Sequence, residues 1–243
     1  MAFDVTWIGQ AGLLIETDTQ TICIDPYLSD SLHLHFNRFT RQQPAPTQPS
    51  ELKADLVLCT HDHVDHLDEE TLKHLDFEKT TFCGPDECVA HFTMMGANCL
   101  LPLNRGQSLS FEDVLLAGVY AEHTEASIGV VLRYHGITVY VTGDTVWSDK
   151  LVEVKKYKPD IMIACVNGGY GNMGHNDAAR LAKEIGAAVA IPYHYGLFFE
   201  NTTDPSLFAR PLERFGIRYH ELAVMKKEDL QEIADGTADS GQR

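Results

Sequence analysis

Apolar and polar positions divide the chain into short alternating runs at its start and longer mixed runs afterwards. Residues 3–7 alternate, 13–16 are mainly apolar, and 21–25 follow a turn at Asp18 and Thr19. Runs this close together predict a meander of three strands, the last ended by Pro26. Residues 27–51 carry no period and contain Pro44, Pro46 and Pro49, so they read as a flap or insertion loop within one core. Residues 54–60 predict a buried strand that runs into His61. Asp68 has the place of an N-cap, with Glu69 and Glu70 in the first turn of a helix reaching about His74. A strand is expected over 80–83 and a helix over 86–95. Strands follow at 114–121, 128–134 and 137–142, the last two joined by a tight turn at His135 and Gly136. A helix at 148–157, a strand at 161–165, a helix at 177–185, a strand at 188–191 and a helix at 205–215 complete the order. Strands, then strands mixed with helices, twice over, predict an α/β domain over 1–234 with two sheets face to face and helices outside. Residues 235–243 are small and polar and read as a frayed tail.

Composition supports a folded domain: of 243 residues, 44% are hydrophobic and 22% charged. Nineteen Lys and Arg against 35 Asp and Glu give a net charge of −16, which argues against long nucleic acids as partners. No apolar run approaches the roughly 20 residues of a membrane span. The first residues lack the basic and apolar regions of a signal peptide, so a cytoplasmic location without a membrane partner is expected. The six cysteines form no CxxC and sit mostly in apolar runs, as buried thiols rather than disulfides.

The chemistry gathers in His61-Asp62-His63-Val64-Asp65-His66, directly after a strand. Side chains at 61 and 63 of an extended loop project to one side, so two imidazoles can share one metal ion. Asp65 and His66 can then turn to a second ion nearby. An exposed turn has no need of so many imidazoles, whereas His74, His91 and His220 read as ordinary surface or core residues.

The HxHxDH spacing resembles that of the metallo-β-lactamase superfamily. Its further ligands have counterparts in order, each after a strand-like run: His123, Asp144 and His194. The resemblance implies a four-layer αβ/βα sandwich of two mixed sheets with the site at their edge. It implies that His61, His63 and His123 hold one divalent ion, that Asp65, His66 and His194 hold the other, and that Asp144 bridges them. Two divalent ions outweigh two aspartates and one hydroxide by a single positive charge, so the site attracts a small anionic substrate although the protein is acidic. Such a site uses metal-bound hydroxide on a carbonyl or phosphoryl centre. Zinc or manganese suits the donors. Iron is disfavoured, because oxygen-reducing di-iron members usually place a Glu at the position of His63. Asp62 is expected to orient a histidine from behind.

A narrower likeness joins 7–12, 24–29, 60–68, 82–85 with Cys88, and 188–205 to the L-ascorbate-6-phosphate lactonase group. It implies hydrolysis of a small, phosphorylated sugar lactone or ester. His123 is a departure, since that lactonase lacks a histidine there, and it leaves the substrate open. Two regions bear on substrate. The glycine-rich loop 167–177 either offers backbone N–H groups to an anion or is a linker capped by Asn176 or Asp177. His175 in it is a candidate proton donor, catalytic beside Asp65 and Asp144, and Asn167, Asn172 and Tyr193 are candidate substrate contacts. In the flap, Arg38 and Arg41, with His33 and His35, could clamp a phosphate, or the segment could form a contact within a homo-oligomer. The competing readings are a small-molecule phosphodiesterase on the same scaffold and a non-catalytic metal- or ligand-binding member. A phospholipase like the N-acyl phosphatidylethanolamine hydrolases is a further one, without an amphipathic stretch to support it.

Overall fold

The computed structural model describes residues 2–237. The first half supplies β1 (Phe3–Gly9), β2 (Gly12–Thr17), β3 (Thr21–Ile24), β4 (Leu56–Leu58), β5 (Thr81–Gly84) and β6 (Cys99–Pro102). The second supplies β7 (Ser108–Phe111), β8 (Val114–Tyr120), β9 (Ile128–Tyr134), β10 (Ile137–Val141), β11 (Ile161–Cys165), β12 (Val189–Tyr193) and β13 (Arg218–Tyr219), and β14 (Lys227–Asp229) follows. The helices are α1 (Ser31–Phe36), α2 (Glu69–Leu72), α3 (Asp86–Met95), α4 (His175–Ile185), α5 (Ala209–Glu213) and α6 (Leu230–Asp235). One seven-stranded sheet has the order β14-β1-β2-β3-β4-β5-β6, the other β13-β12-β11-β10-β9-β8-β7. In the first sheet the pairs from β14 to β3 are antiparallel and those from β3 to β6 parallel. In the second the pairs from β7 to β10 are antiparallel and those from β10 to β13 parallel. Two mixed sheets with helices outside are the four-layer arrangement expected.

The strands sort their side chains by twos, as a sheet buried on both faces requires. Leu13, Ile15, Ile22, Ile24, Leu56 and Leu58 enter the core between the sheets, with Val130, Val139 and Ile163 from the other side. Their neighbours Leu14, Cys23, Val57, Cys59 and Phe82 point outward to α2 and α3, where Phe92 and Cys88 cover them. All six cysteines are free, and only Cys99 is partly exposed.

Three departures from expectation have physical causes. Residues 149–157 form successive tight 3-10 turns rather than an α-helix. Leu151, Val154 and Tyr157 recur every third residue, which suits three residues per turn. The short strands β6, β7, β13 and β14 carry too few residues for a readable period, and all four lie at sheet edges. The irregular segment 27–51 contains α1 and is pinned along its length. Gln42 N donates to Leu197 O at 2.7 Å, and Phe199 N donates to Thr40 O at 2.9 Å. Of the tail read as frayed, Asp235 closes α6 and Gly236 caps it at φ 78°, while 238–243 lie outside the described residues.

Phe82 packs its ring between Phe77 and Phe92, at centroid distances of 5.4 and 5.2 Å. Phe82→Ala is expected to cost about 3–5 kcal/mol of stability, read from the urea unfolding midpoint. A change under about 1 kcal/mol would show that this outer cluster contributes little.

Candidate metal centre

The candidate ligands arrive from the ends of strands on both sheets. β4 leads into His61, His63, Asp65 and His66, β8 into His123, β10 into Asp144, and β12 into His194. The two edges are joined by Ile128 N, which donates to Thr60 O at 3.0 Å. The backbone here is held in conformations that ordinary side chains avoid: φ is 47° at Gln10, 46° at Asp25, 53° at Tyr170 and 64° at His194. Such strain persists where surrounding structure imposes it, commonly at functional sites. Gly143, before Asp144, has φ 61°, and a Cβ there would lie 2.7 Å from Ile128 O.

Donor atoms of His61, His63 and His123 lie within 4.8 Å of one another, as do those of Asp65, His66 and His194. Asp144 joins the two sets: its Oδ1 is 3.4 Å from His66 Nε2 and 3.2 Å from His194 Nε2, and its Oδ2 is 3.8 Å from His123 Nε2. His63 Nδ1 and His123 Nε2 are 3.1 Å apart, and so are His66 Nε2 and His194 Nε2. Bonds of about 2.0–2.1 Å in a tetrahedron place neighbouring ligand atoms roughly 3.3–3.4 Å apart, close to this spacing.

The outer partners fix which nitrogen faces inward. A carboxylate only accepts, so His66 Nδ1–H donates to Asp25 Oδ2 at 2.9 Å and leaves Nε2 for the centre. Thr60 Oγ1 also donates to Asp25 and in turn accepts from His61 Nδ1–H at 3.1 Å. His123 Nδ1–H donates to Gly171 O at 3.0 Å. Gly171 has φ 83°, and a Cβ there would come within 2.9 Å of that nitrogen, so the glycine-rich loop is small at this point to admit the imidazole. After these bonds are made, His61 Nε2 and Asp144 Oδ1 remain buried without a hydrogen-bond partner. Orphaned lone pairs facing one another are a poor core and a fitting cation site.

Electrostatics carries the same signature. Burial, reinforced by His66, His63 and His123, pushes His61 well below the usual imidazole range. Burial alone would raise the Asp144 carboxyl, but His194 and His66 outweigh it and hold it well below the usual carboxylate range. Burial opposes charge on His66 too, yet Asp144, Asp25 and Asp65 raise it well above the ordinary value. Positive charge is thus favoured between these carboxylates, the place a metal ion would take.

Other candidate residues divide. Asn172 Nδ2 donates to Asp144 Oδ2 at 2.9 Å, and Asn167 Nδ2 lies 3.4 Å from His194 Nδ1. Arg38 donates to Tyr170 Oη at 2.9 Å, and Tyr170 is part of the wall of the cavity over the centre. Arg41 is not brought to the centre: its guanidinium donates to Ser29 O and stacks on Tyr27. Tyr193 is fully buried. His175 begins α4, and its Nε2 lies 3.4 Å from Thr203 Oγ1. Within the glycine-rich loop, Gly168 N donates to Met173 O, Asn172 N to Gly169 O and Met173 N to Thr145 O, so these three N–H groups are not offered to an anion. Gly174 has the N-cap position of α4, rather than Asn176 or Asp177.

Asp25, not Asp62, orients the histidines. Asp62 sits 3.9 Å from His91, outside the ligand shell. Gln10, which no metal-ligand spacing marks, donates its Nε2–H to Asp65 Oδ2 at 3.0 Å. Cys165 is a further neighbour, its donor atom within 4.8 Å of those of Asp144 and His194. Burial pushes its thiol up to about 11, and it donates to Asn167 Oδ1 at 3.3 Å. Over the centre lies a cavity of about 410 Å³, with walls that include Leu32, Phe36, Phe39, Val64 and Tyr170.

The family model described as beta-lactamase superfamily domain matches residues 4–194. A UPF0173 metal-dependent hydrolase of Methanopyrus kandleri is 29% identical over 228 residues, covering 88% of this chain and 93% of the relative. Another, of Ligilactobacillus salivarius, is 30% identical over 202 residues, covering 80% and 85%. The solved structure of a metallo hydrolase from Ignicoccus hospitalis superposes with a TM-score of 0.78 at 22% identity, over 94% of this chain and 98% of that one, a likeness of fold. No helix among the described residues is long and apolar enough to cross a membrane.

Removing the shared carboxylate tests the arrangement. Asp25→Ala frees His66 Nδ1 and Thr60, and metal affinity is expected to fall about 10–100-fold in a chelator competition. Unchanged affinity would mean that Asp25 does not orient the ligands.

Proposed function

The chain belongs to the beta-lactamase superfamily, and from that membership together with its ligand geometry we propose that it is a metal-dependent hydrolase with a two-ion centre. The observation that carries the reading is the pair of three-donor sets joined by Asp144, with buried lone pairs on His61 and Asp144 that no protein donor meets. Divalent ions, zinc or manganese, would supply Lewis-acid charge there and lower the pKa of a bound water to about 7. His61, His63 and His123 would hold one ion, Asp65, His66 and His194 the other. Asn172 anchors Oδ2 of Asp144 and leaves Oδ1 free toward the centre. Gln10 fixes Asp65 and meets His194. Phe36, Phe39 and Val64 keep bulk water from one side of the reacting group.

The substrate class we infer is a small ester or lactone with an apolar acyl body and one anionic substituent. Supporting this are the aromatic and aliphatic walls of the cavity and the guanidinium of Arg38, which donates to the wall residue Tyr170. The phosphorylated sugar lactone is a more polar member of that class. Its many hydroxyls would find few partners on Leu32, Phe36 and Phe39, and Arg41 already serves backbone carbonyls.

Metal-stripped protein reloaded with zinc or manganese, and offered carboxylic esters, lactones including L-ascorbate 6-phosphate, and a phosphodiester, tests the reading. We expect ester or lactone hydrolysis that chelator abolishes. Hydrolysis that survives metal removal would contradict the proposal, as would turnover of the phosphodiester alone. Asp65→Asn should lower kcat/KM by more than the roughly 100-fold that loss of an outer partner costs, with the far-UV spectrum unchanged. Arg38→Ala should raise KM about tenfold for anionic substrates and leave neutral ones alone, the worth of one charge-assisted contact.

A further inference from the structure

The pairing of β8 with β9 ends at Tyr120 and Ile128, and the turn between them, 121–127, carries His123. Ala121 and Ser127, at the two ends of the turn, are buried. Buried carbonyls need donors, and past the last strand pair no ladder supplies them. Arg105 does. Its Nε donates to Ser127 O at 2.7 Å, and its Nη2 donates to Ala121 O at 2.7 Å and to Thr124 O at 2.9 Å. One planar, permanently charged fork thus gathers three carbonyls of the turn, one before His123 and two after it.

Arg105 is itself held against the turn. Gly106 N donates to Gly118 O at 2.8 Å and Gly118 N to Gln107 O at 3.0 Å, which lays residues 104–107 on β8. Gly118 permits the approach, since a Cβ there would lie 2.5 Å from Asn104 O. The guanidinium also covers the Tyr120 ring, 4.7 Å from its centroid. The other bonds of the turn leave a gap that Arg105 fills. Thr124 N donates to Ser127 Oγ at 2.8 Å and Ser127 N to Thr124 Oγ1 at 3.1 Å, which shapes the far end. Glu122 N donates to Thr145 Oγ1 at 2.8 Å. Ala121 O and Thr124 O, which bracket Glu122 and His123, are left to the guanidinium.

We propose that Arg105 is a positioning residue for the metal centre: by closing on the carbonyls of Ala121, Thr124 and Ser127 it sets the place from which His123 reaches the ion it shares with His61 and His63. The inference rests on the two-ion reading above. Gly171 O fixes the rotation of the His123 ring, and Arg105 fixes the backbone that carries it. His123 is the one member of its set that comes from the second sheet, so the fork on this turn governs how the two halves of the set meet.

Zinc affinity, measured by chelator competition in the unmodified protein, Arg105→Ala, His123→Ala and the double variant, tests this. Arg105→Ala should weaken zinc binding about tenfold, the lower end of what loss of an outer partner costs. Added to His123→Ala it should cost nothing further, because a residue that acts through His123 has no effect once His123 is gone. Arg105→Lys keeps the charge without the planar fork. It serves as the milder variant should Arg105→Ala fail to fold, with a loss in the same direction. Arg133→Ala is the control: that guanidinium also holds a backbone carbonyl, Tyr157 O at 2.7 Å, and its loss should leave zinc affinity unchanged. In metal-stripped protein, Arg105→Ala should speed hydrogen exchange at the Thr124 and Ser127 amides about tenfold, as a turn that opens more often does. Unchanged zinc affinity in both Arg105 variants would overturn the proposal. So would an equal loss in the His123→Ala background or in Arg133→Ala. Unmodified protein that takes up no zinc would contradict the two-ion reading instead. Exchange in the stripped protein would still decide the clamp, and unchanged rates at Thr124 and Ser127 would overturn it.

Discussion

Five imidazoles and two carboxylates converge on a space that holds too few protons to satisfy them, and the rest of the molecule is arranged around that imbalance. In a buried site, lone pairs that face lone pairs are strongly unfavourable without positive charge between them. Asp25, Thr60, Gly171 and Gln10 keep the arrangement from relaxing. Each occupies the far side of a ligand, so the imidazoles cannot turn away to find partners of their own. Positive φ at Gln10, Asp25 and His194 marks where the backbone gives way to the same demand.

The fold serves this demand through its two sheets. The first half contributes His61, His63, Asp65 and His66, and the second contributes His123, Asp144 and His194. Each three-donor set draws on both halves, so an ion in either would tie the sheets together at their edge. Between the sheets, a dry core of Leu, Ile and Val sets their spacing. The rigidity of that core is what lets donor atoms meet at about 3.1 Å without help from flexible loops.

Much of this was legible in the sequence because ligands crowd together or follow strand-like runs. His61 to His66 lie within six residues, and His123, Asp144 and His194 each follow apolar runs that fold as expected. What was not legible depends on partners distant in the chain. Asp25 meets His66 across 41 residues, and Gln10 meets His194 across 184. An aspartate directly after a strand and before Pro26, and a glutamine in a Gly-Gln-Ala-Gly turn, were the available signals. Asp62 drew the orienting role because it is adjacent in sequence, yet it points toward His91. Arg41 read as a free cation, but its guanidinium is spent on backbone carbonyls that no side-chain pattern reveals. The 3-10 turns at 149–157 were hidden because Leu151 and Val154 fit a three-residue period about as well as an α-helical one.

Elemental analysis of the purified protein by inductively coupled plasma mass spectrometry, after gel filtration in metal-free buffer, tests the central claim most directly. The account predicts about two divalent ions per chain, falling to about one in Asp65→Asn, since the paired site loses one ion's carboxylate there. Protein that retains no divalent ion, even after incubation with zinc and with manganese, would contradict it.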